Sequence, residues 1–514
     1  MSMSSTNTNT NRRNNNNNNN QRDTFPKRPN NNNNNNNNNG RQSVAIIGGG
    51  ISGLSCAQEL VLGNNSNNNK YDVTVYDTGR LRPGGRCASR QPGDPMKPPE
   101  QENQNNNNND DDFPLLSQYR YDHAAQFIAA PGKENEAFAK QLEQWKSSGI
   151  LKEFPQGSVC SIDKNGKVAP IQDQTFYYGT NGMGNVPLAM VDQAKQSSNF
   201  ALEQDTWVSP SSGVKYQKNS GTWKLQAKGK TLGYYDKLVI AHNGKCADRI
   251  MSKTPSKEVH SLLRVNFSPN VPAHGGNKMT LNSLYSVTVV LPLESEWSKT
   301  LPPNFVCGML ADHPQVRSLT CQTRKYNDQQ QEMEQQHEVW TIISSATFGK
   351  KHKAPQEFLP QEVIDKVTAL LVQAVDGVLK TSVGGTPETP NNGSDKKGDD
   401  APKETTNKMD TNKAASQVLE HRVQLWGAAV PLNVWKNEEG FLYDSNNNVG
   451  VVGDWLVEPS IGGAWTSGYQ LAQHLNNNHQ SLESTEHKII VGLEGGSFER
   501  SESVKSAGIA AIPQ

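Results

Sequence analysis

The sequence predicts an α/β fold with a parallel sheet, and three observations carry this prediction. Residues 43–47 form a short β-branched stretch that ends in glycines, as a buried parallel strand often does. Residues 51–62 place apolar side chains at helical spacing, and residues 71–76 form a second β-branched stretch. A strand, a helix and a strand in this order predict a βαβ unit, whose two strands are parallel.

The turn between the first strand and the helix has the G-x-G-x-x-G spacing of a dinucleotide-binding loop. Gly48 permits the tight turn, Gly50 lets a pyrophosphate approach the backbone, and Gly53 lets helix and strand pack closely. Ile51 and Ser52 open the helix, whose N-terminal N–H groups and partial positive charge favour a phosphate. An ordinary glycine-rich turn is the alternative. The flanking strand and helix favour a Rossmann-type, two-dinucleotide-binding domain.

One acidic residue, Asp77, ends the second strand, 24 residues beyond Gly53. A carboxylate at this position accepts hydrogen bonds from an adenosine ribose and repels a 2′-phosphate. The cofactor is therefore expected to be FAD or NAD rather than NADP. A strand-end aspartate without a ligand is the alternative.

A second set of cofactor residues is identified by resemblance. Gly85 and Arg86 lie in a sequence that resembles the GG-R extension of amine oxidase and renalase-like flavoproteins, where the arginine approaches the FAD diphosphate. Gly453 and Asp454 resemble the Gly-Asp pair that places an aspartate on the ribityl chain in that superfamily. The helix after this pair then directs its N-terminus at the flavin. The resemblance implies FAD, and the remaining cofactor residues are Val208, Gly463, Ala464 and Trp465.

The likeness is closest to renalase-like proteins, including their plant and algal relatives. Ala124 replaces a common glycine of the family, and His242 replaces an apolar residue. The C-terminal flavin motif holds no cysteine where covalent amine oxidases attach FAD, so the resemblance implies a non-covalent cofactor. The matching segments are 121–127 with a D-x-G-A-Q-Y/F strand, 178–183 with a G-x-x-G-M/N turn, 238–244 with a strand ending in A-x-P, and 421–431 with an H-R-W-type strand.

This resemblance implies an FAD-dependent oxidoreductase that takes a hydride from a small-molecule donor onto flavin N5. Renalase-like relatives oxidise isomers of reduced nicotinamide nucleotides and pass the electrons to oxygen. A dihydropyridine donor gains aromaticity without an enzymatic base, so positioning and exclusion of water would supply much of the catalysis. Three alternatives stay open: an amine oxidase proper, a porphyrinogen or carotenoid-type oxidase, and an FAD-bound protein that recruits partners without catalysis.

Four side chains are candidates for the substrate pocket, and none of them is assigned as an acid or base: His123, Gln126, Trp340 and Trp426. Each has a structural alternative, because a tryptophan in an apolar strand is more often core than substrate platform. A histidine can equally bond a backbone carbonyl.

The expected organisation is a discontinuous FAD-binding domain with an inserted mixed-sheet α+β substrate domain. Strands at 284–293 and 339–346 and a helix at 360–375 are expected in the substrate domain. Asparagine-rich and polar stretches cannot bury enough apolar surface to offset their ordering entropy, which predicts disorder. The boundaries are 43–130, 184–260 and 418–480 for the FAD-binding domain, 131–183 and 261–379 for the substrate domain, 1–42 for a disordered tail, and 91–118 and 380–415 for disordered inserts.

Composition narrows the partners and the compartment. The chain has 51 Lys and Arg against 51 Asp and Glu, so no basic excess favours nucleic acid. No apolar stretch is long enough to span a membrane, and no apolar signal segment precedes residue 43. Six cysteines without C-x-x-C pairs indicate reduced thiols and no metal site. We expect an intracellular, cytoplasmic protein that acts on a small molecule, with plastid or mitochondrion as alternatives and the oligomeric state open.

Overall fold

Two seven-stranded sheets organise the computed structural model, which describes residues 40–63, 70–96, 113–132, 135–242, 244–310, 312–327, 336–356, 358–382, 418–477 and 490–501. In chain order, the strands within these residues are β1 (Gln42–Ile47), β2 (Tyr71–Tyr76), β3 (Ser89–Arg90), β4 (Tyr121–Asp122), β5 (Ile128–Ala129), β6 (Leu151–Glu153), β7 (Val159–Ile162), β8 (Val168–Pro170), β9 (Phe176–Gly179), β10 (Phe200–Glu203), β11 (Val214–Gln217), β12 (Thr222–Ala227), β13 (Lys230–Tyr235), β14 (Lys237–Ile240), β15 (Val265–Phe267), β16 (Met279–Leu281), β17 (Leu284–Pro292), β18 (Cys307–Leu310), β19 (Val316–Cys321), β20 (His337–Ser344), β21 (Glu420–Trp426), β22 (Asn433–Lys436), β23 (Leu442–Asp444), β24 (Val449–Val451), β25 (Ile490–Val491) and β26 (Ser497–Arg500). The α-helices of the same residues are α1 (Ile51–Leu62), α2 (Glu136–Ser147), α3 (Asn185–Ala194), α4 (Gly244–Met251), α5 (Lys257–Leu263), α6 (Glu296–Thr300), α7 (Gln322–Lys325), α8 (Ala346–Lys351), α9 (Gln361–Ser382) and α10 (Ile461–Asn477).

The first large sheet is of the Rossmann type, with the strand order β10–β2–β1–β14–β24–β23–β25. Its first five strands are parallel, and the last two pairings are antiparallel. Val44 and Ile46 of β1 pack with α1 and α10, whereas Ala45 and Ile47 pack with α4 and α5. Both faces are covered, which explains why residues 44–47 of this strand are all apolar. The predicted α/β class and βαβ unit are confirmed.

The second large sheet is mixed, with the order β21–β17–β20–β19–β18–β7–β8. Its pairings are antiparallel except for the parallel contact between β18 and β7. Helix α9 covers one face, where Val367, Leu371 and Val375 join the core of this sheet. The strands expected at 284–293 and 339–346 correspond to β17 and β20.

The predicted domain boundaries need correction at three places. Strand β21 was assigned to the FAD-binding domain, but it pairs with β17 in the mixed sheet, with Trp426 opposite Leu284. Helix α2 was assigned to the substrate domain, but its Phe138 packs against Trp465 of α10. Strand β25 extends the Rossmann sheet beyond residue 480. Each error arises because strand and helix partners lie far away in the sequence.

The predicted disordered insert at 91–118 is packed at both ends. Leu116 is entirely buried in a small apolar cluster. The N–H groups of Leu115 and Leu116 donate to the Glu420 carboxylate at 2.9 and 2.7 Å. Apolar side chains at the end of the insert thus hold it against the fold. Gln42 of the predicted tail begins β1, and residues 380–382 of the other predicted insert end helix α9. The remaining parts of the predicted tail and inserts lie outside the described residues, at 1–39, 97–112 and 383–415.

Candidate functional site

A cavity of roughly 870 Å³ lies where the carboxyl ends of the parallel strands meet. Its lining includes Gly48 after β1, Asp77 after β2, Ala241 after β14 and Gly453 after β24. Ligands of open α/β sheets bind at this edge. The volume falls within the usual range of about 300–1,000 Å³ for small-molecule and cofactor sites.

The glycine loop has the geometry that each of its positions requires. Gly48 has a φ of +118°, and a Cβ there would lie 2.9 Å from the Ala241 carbonyl oxygen. A Cβ on Gly53 would collide with the Gly48 carbonyl oxygen. Gly50 faces the cavity, and a Cβ there would meet no atom within 4 Å. Helix α1 begins at Ile51, in the cavity lining, and no side chain caps it. The first N–H groups of the helix therefore have no side-chain acceptor at this end.

The Asp77 carboxylate is held by the backbone around it. The Gly49 N–H donates to Oδ2 at 2.7 Å, and the Gly79 N–H donates to Oδ1 at 2.6 Å. Burial raises the pKa of Asp77, and these two hydrogen bonds offset part of that rise. The Thr206 N–H donates to the Asp77 carbonyl at 2.9 Å, which brings the loop of Val208 to the same end of the cavity.

An ion pair joins the N-terminal and C-terminal halves of the site. Arg86 Nη1 lies 2.7 Å from Asp454 Oδ2, and it also donates to the Ala429 carbonyl at 2.6 Å. The Gly84 N–H donates to the Gly49 carbonyl at 2.8 Å, which fixes the arginine segment against the glycine loop. Segments that are more than 350 residues apart in the sequence therefore form one wall.

Helix α10 packs directly on α1 beside the cavity. A Cβ on Gly468 would collide with the Ser52 carbonyl oxygen, so this glycine sets the separation of the two helices. The Ser55 hydroxyl donates to the Trp465 carbonyl at 2.8 Å. The Trp465 ring stacks on Tyr469 with centroids 4.8 Å apart and lies in the apolar core.

Most of the predicted cofactor residues meet at the cavity. Those that line it are Gly48, Gly50, Ile51, Ser52, Asp77, Gly85, Arg86, Val208, Gly453, Asp454 and Ala464. Three do not line it. Gly53 and Gly463 are positions where a side chain would collide with backbone, and Trp465 is a core residue.

Trp426 is the one predicted pocket residue in the lining of the described cavity. His123 lies behind it, with ring centroids 5.8 Å apart, and the Trp426 indole N–H donates to the His123 carbonyl at 3.2 Å. Burial lowers the pKa of His123 to about 3, and the charges of Arg90 and Arg422 add to this effect. His123 is therefore neutral at physiological pH and supports Trp426.

The other two pocket candidates, Trp340 and Gln126, do not line the described cavity. Trp340 is entirely buried in the core of the mixed sheet against Trp297 and Phe305, and its indole N–H donates to Glu338 at 3.1 Å. Its assignment to the pocket was wrong, because both faces of β20 are buried. Gln126 is buried and accepts a hydrogen bond from Gln322 at 2.8 Å.

A buried polar cluster near the cavity was missed from the sequence. Lys325 Nζ lies 2.6 Å from Asp122 Oδ2, and both side chains have no exposure. Tyr326 Oη donates to the same carboxylate, and Met183 N–H donates to Oδ1 at 2.9 Å. Asp122 stands in the segment that resembles the D-x-G-A-Q motif, which was the available signal. Lys325 carries no such signal.

Three cationic residues of the lining were also missed: Lys245, Arg249 and Lys353. The first follows the segment at 238–244, and the last lies in the loop after α8. Exposed lysines and arginines have no sequence signal that separates a site from a solvated surface.

The described residues add three findings about other functional classes. No helix among them is long and apolar enough to cross a membrane. They contain no group of three or more His, Cys, Asp or Glu side chains placed to hold a metal ion. All six cysteines are free thiols, and Cys87 lies in the cavity lining.

The comparisons with known proteins give one family match. Residues 46–142 match the NAD(P)-binding Rossmann-like domain. No curated protein matches the sequence. Among solved structures, a candidate protoporphyrinogen oxidase from Exiguobacterium sp. 255-15 is 9% identical with a TM-score of 0.48, covering 84% of this chain and 98% of that chain.

Two further solved structures show a similar level of likeness. The tetracycline destructase Tet(51) is 11% identical with a TM-score of 0.43, covering 86% of this chain and 83% of that chain. FqzB is 12% identical with a TM-score of 0.42, covering 84% of this chain and 74% of that chain. We base no functional argument on similarities of this size.

Proposed function

We propose that this chain is an oxidoreductase that binds FAD non-covalently and oxidises a small-molecule donor. The observation that carries the proposal is the meeting of the glycine loop, Asp77, Arg86 and Asp454 around one cavity. The match to a dinucleotide-binding domain covers the glycine loop, Asp77 and Arg86 but not Asp454. Asp454, through its resemblance to the Gly-Asp pair of flavoproteins, is the residue that favours FAD over NAD.

Different residues of the lining suit different parts of FAD. Asp77 and Val208 stand at the end suited to adenosine, where a carboxylate accepts ribose hydroxyls. The open approach over Gly50 and the start of α1 suit the diphosphate, because their N–H groups favour an anion. Asp454 suits the hydroxyls of the ribityl chain. Bound FAD would supply the hydride acceptor.

A second part of the lining, which we call the donor wall, comes from the mixed sheet and would hold the donor. Leu425, Trp426, Gly427 and Ala428 line it at the end of β21. These residues can exclude water and position a donor, and the lowered pKa of His123 behind them makes this histidine a weak base. This fits a donor that loses a hydride without a base, such as an isomer of a reduced nicotinamide. The resemblance to renalase-like proteins adds oxygen as the proposed electron acceptor.

Anaerobic reduction of the bound flavin tests this function. The purified protein is mixed with reduced nicotinamide isomers, with amines and with a porphyrinogen, and the flavin absorbance near 450 nm is followed. We expect bleaching by a nicotinamide isomer and recovery of the colour with peroxide formation on admission of air. Bleaching by amines alone would favour an amine oxidase. A flavin that no donor reduces would contradict an enzymatic role.

A further inference from the structure

The charges that line the cavity do not balance. Arg86 is paired with Asp454, and the Asp77 carboxylate accepts two backbone hydrogen bonds. Three cations remain, and we call them the cationic rim: Lys245, Arg249 and Lys353. Within the described part of the chain, none of the three has a carboxylate within ion-pair distance.

Two members of the cationic rim flank the same stretch of the donor wall. A Cβ on Gly244, next to Lys245, would lie 3.1 Å from the Ala428 side chain. A Cβ on Gly427 would likewise collide with the side chain of Gln356, three residues after Lys353. Lys245 and Lys353 therefore belong to two separate segments that both lie close to residues 427–428.

The third member of the cationic rim shares a helix face with the first. Lys245 and Arg249 are four residues apart on α4, where like charges repel and destabilise a helix. The first turn of α4 lines the cavity, and its partial positive charge adds to theirs. An anion bound at this place would offset both effects.

The surroundings of the cationic rim are apolar and aromatic. Lys245 Nζ lies 5.5 Å from the centroid of the Phe267 ring, which also lines the cavity. Leu425 and Trp426 continue this apolar surface on the donor wall. The arrangement suits a molecule with a flat apolar body and one oxyanion.

We infer that the cationic rim binds an oxyanion, a carboxylate or a phosphate, carried by the donor substrate. This inference rests on the proposed function and narrows its substrate to anionic donors. Lys353 lies in the cavity lining directly after α8, whose Phe348 belongs to the core of the mixed sheet that also carries the donor wall. The rim is thus assigned to the donor.

Calorimetric titration of the FAD-loaded protein tests the inference with three probes of one ring size: benzoate, phenyl phosphate and benzamide. We expect one of the two anions to bind at least tenfold more tightly than neutral benzamide, and added NaCl to weaken that binding. Comparison of the two anions separates carboxylate from phosphate recognition. Equal binding of all three probes would overturn the inference.

Charge-removing variants locate the binding. The double variant Lys245→Gln/Lys353→Gln should weaken anion binding at least tenfold and leave benzamide binding and flavin content unchanged. Lys351→Gln is the matched control, because this exposed lysine on α8 does not line the cavity. Unchanged anion binding in the double variant, or loss of flavin instead, would overturn the inference. A protein without any flavin would instead contradict the proposed function, whatever anions it binds.

Discussion

At the scale of single residues, the ion pair of Arg86 and Asp454 links folding to the cofactor site. The Asp454 side chain is 4% exposed, and its oxygen lies 2.7 Å from the guanidinium. Asp454→Asn keeps the shape and removes the charge, so we expect the free energy of unfolding to fall by about 1–3 kcal/mol. FAD affinity should fall at least tenfold.

Urea unfolding with and without added FAD measures both effects on Asp454→Asn. Glu499→Gln is the control, since this exposed carboxylate lies on the edge pair β22–β26. Stability and FAD affinity equal to those of the control would contradict the role of the pair.

The lowered pKa of a second residue, Lys237, predicts that the stability of the protein depends on pH. Its ammonium donates to Tyr443 at 3.1 Å and Asn448 at 3.0 Å, and burial lowers its pKa to about 8 against the opposing charge of Asp236. Because the folded pKa is below the unfolded value, the unfolded chain binds more protons between about pH 8 and 10.5. The contribution of Lys237 to stability therefore rises with pH through this window.

Lys237→Met removes this penalty. We expect the variant to be more stable than the wild type at pH 7, with a difference that shrinks by pH 10. Unfolding free energies at the two pH values for wild type, Lys237→Met and the exposed control Lys230→Met provide the measurement. If the stability advantage of Lys237→Met over the wild type grew with pH, the predicted pH dependence of the Lys237 contribution would be contradicted.

At the scale of helices and strands, replacing a glycine by alanine is expected to change stability in opposite directions in two helices. Gly468 of α10 touches the backbone of α1 at Ser52, whereas a Cβ on Gly377 of α9 would meet no atom within 4 Å. Gly468→Ala should destabilise the protein by about 1–3 kcal/mol through overpacking. Gly377→Ala should stabilise it by up to about 1 kcal/mol through helix propensity. Thermal unfolding of both variants checks the signs, and equal signs would contradict the packing described.

The βαβ unit and the strands β20 and β21 differ in how well the sequence predicts them. The βαβ unit at 43–77 was predictable because strand, glycine loop, helix and acidic residue are contiguous. Trp340 was misassigned because β20 is buried on both faces, so its apolar residues do not alternate in a way that would separate core from cavity. Strand β21 was misassigned because its pairing with β17 joins residues at least 130 positions apart.

At the scale of the whole molecule, the buried pair of Lys325 and Asp122 connects the parts that carry the two walls of the site. Asp122 ends β4 beside the Rossmann part, and Lys325 follows β19 of the mixed sheet. Lys325→Met leaves a buried carboxylate without its cation, which should lower the free energy of unfolding by about 3–5 kcal/mol.

The double variant Asp122→Asn/Lys325→Met tests that reasoning, because it removes both charges. We expect it to recover part of the stability lost in Lys325→Met, as measured by urea unfolding. A double variant that is less stable than Lys325→Met alone would contradict the proposed role of the unpaired charge.

The site as a whole was predictable only in part. The proposed cofactor residues (the glycine loop, Asp77, Arg86 and Asp454) could be assigned because such motifs have fixed spacings in the sequence. The donor wall and the cationic rim could not, since their residues come from three separate segments and include exposed lysines. Their proximity depends on the pairing of distant strands, which local patterns do not encode.

The central claim is that distant segments of the chain grip one FAD, and the cofactor content of the purified protein tests it most directly. The native protein is denatured in acid, and the released flavin is identified and counted by chromatography and absorbance. We predict one FAD per chain in the wild type, fully released without covalent attachment, and a marked loss in Asp454→Asn. A protein that retains no FAD after expression, and takes up none when it is added, would contradict the account.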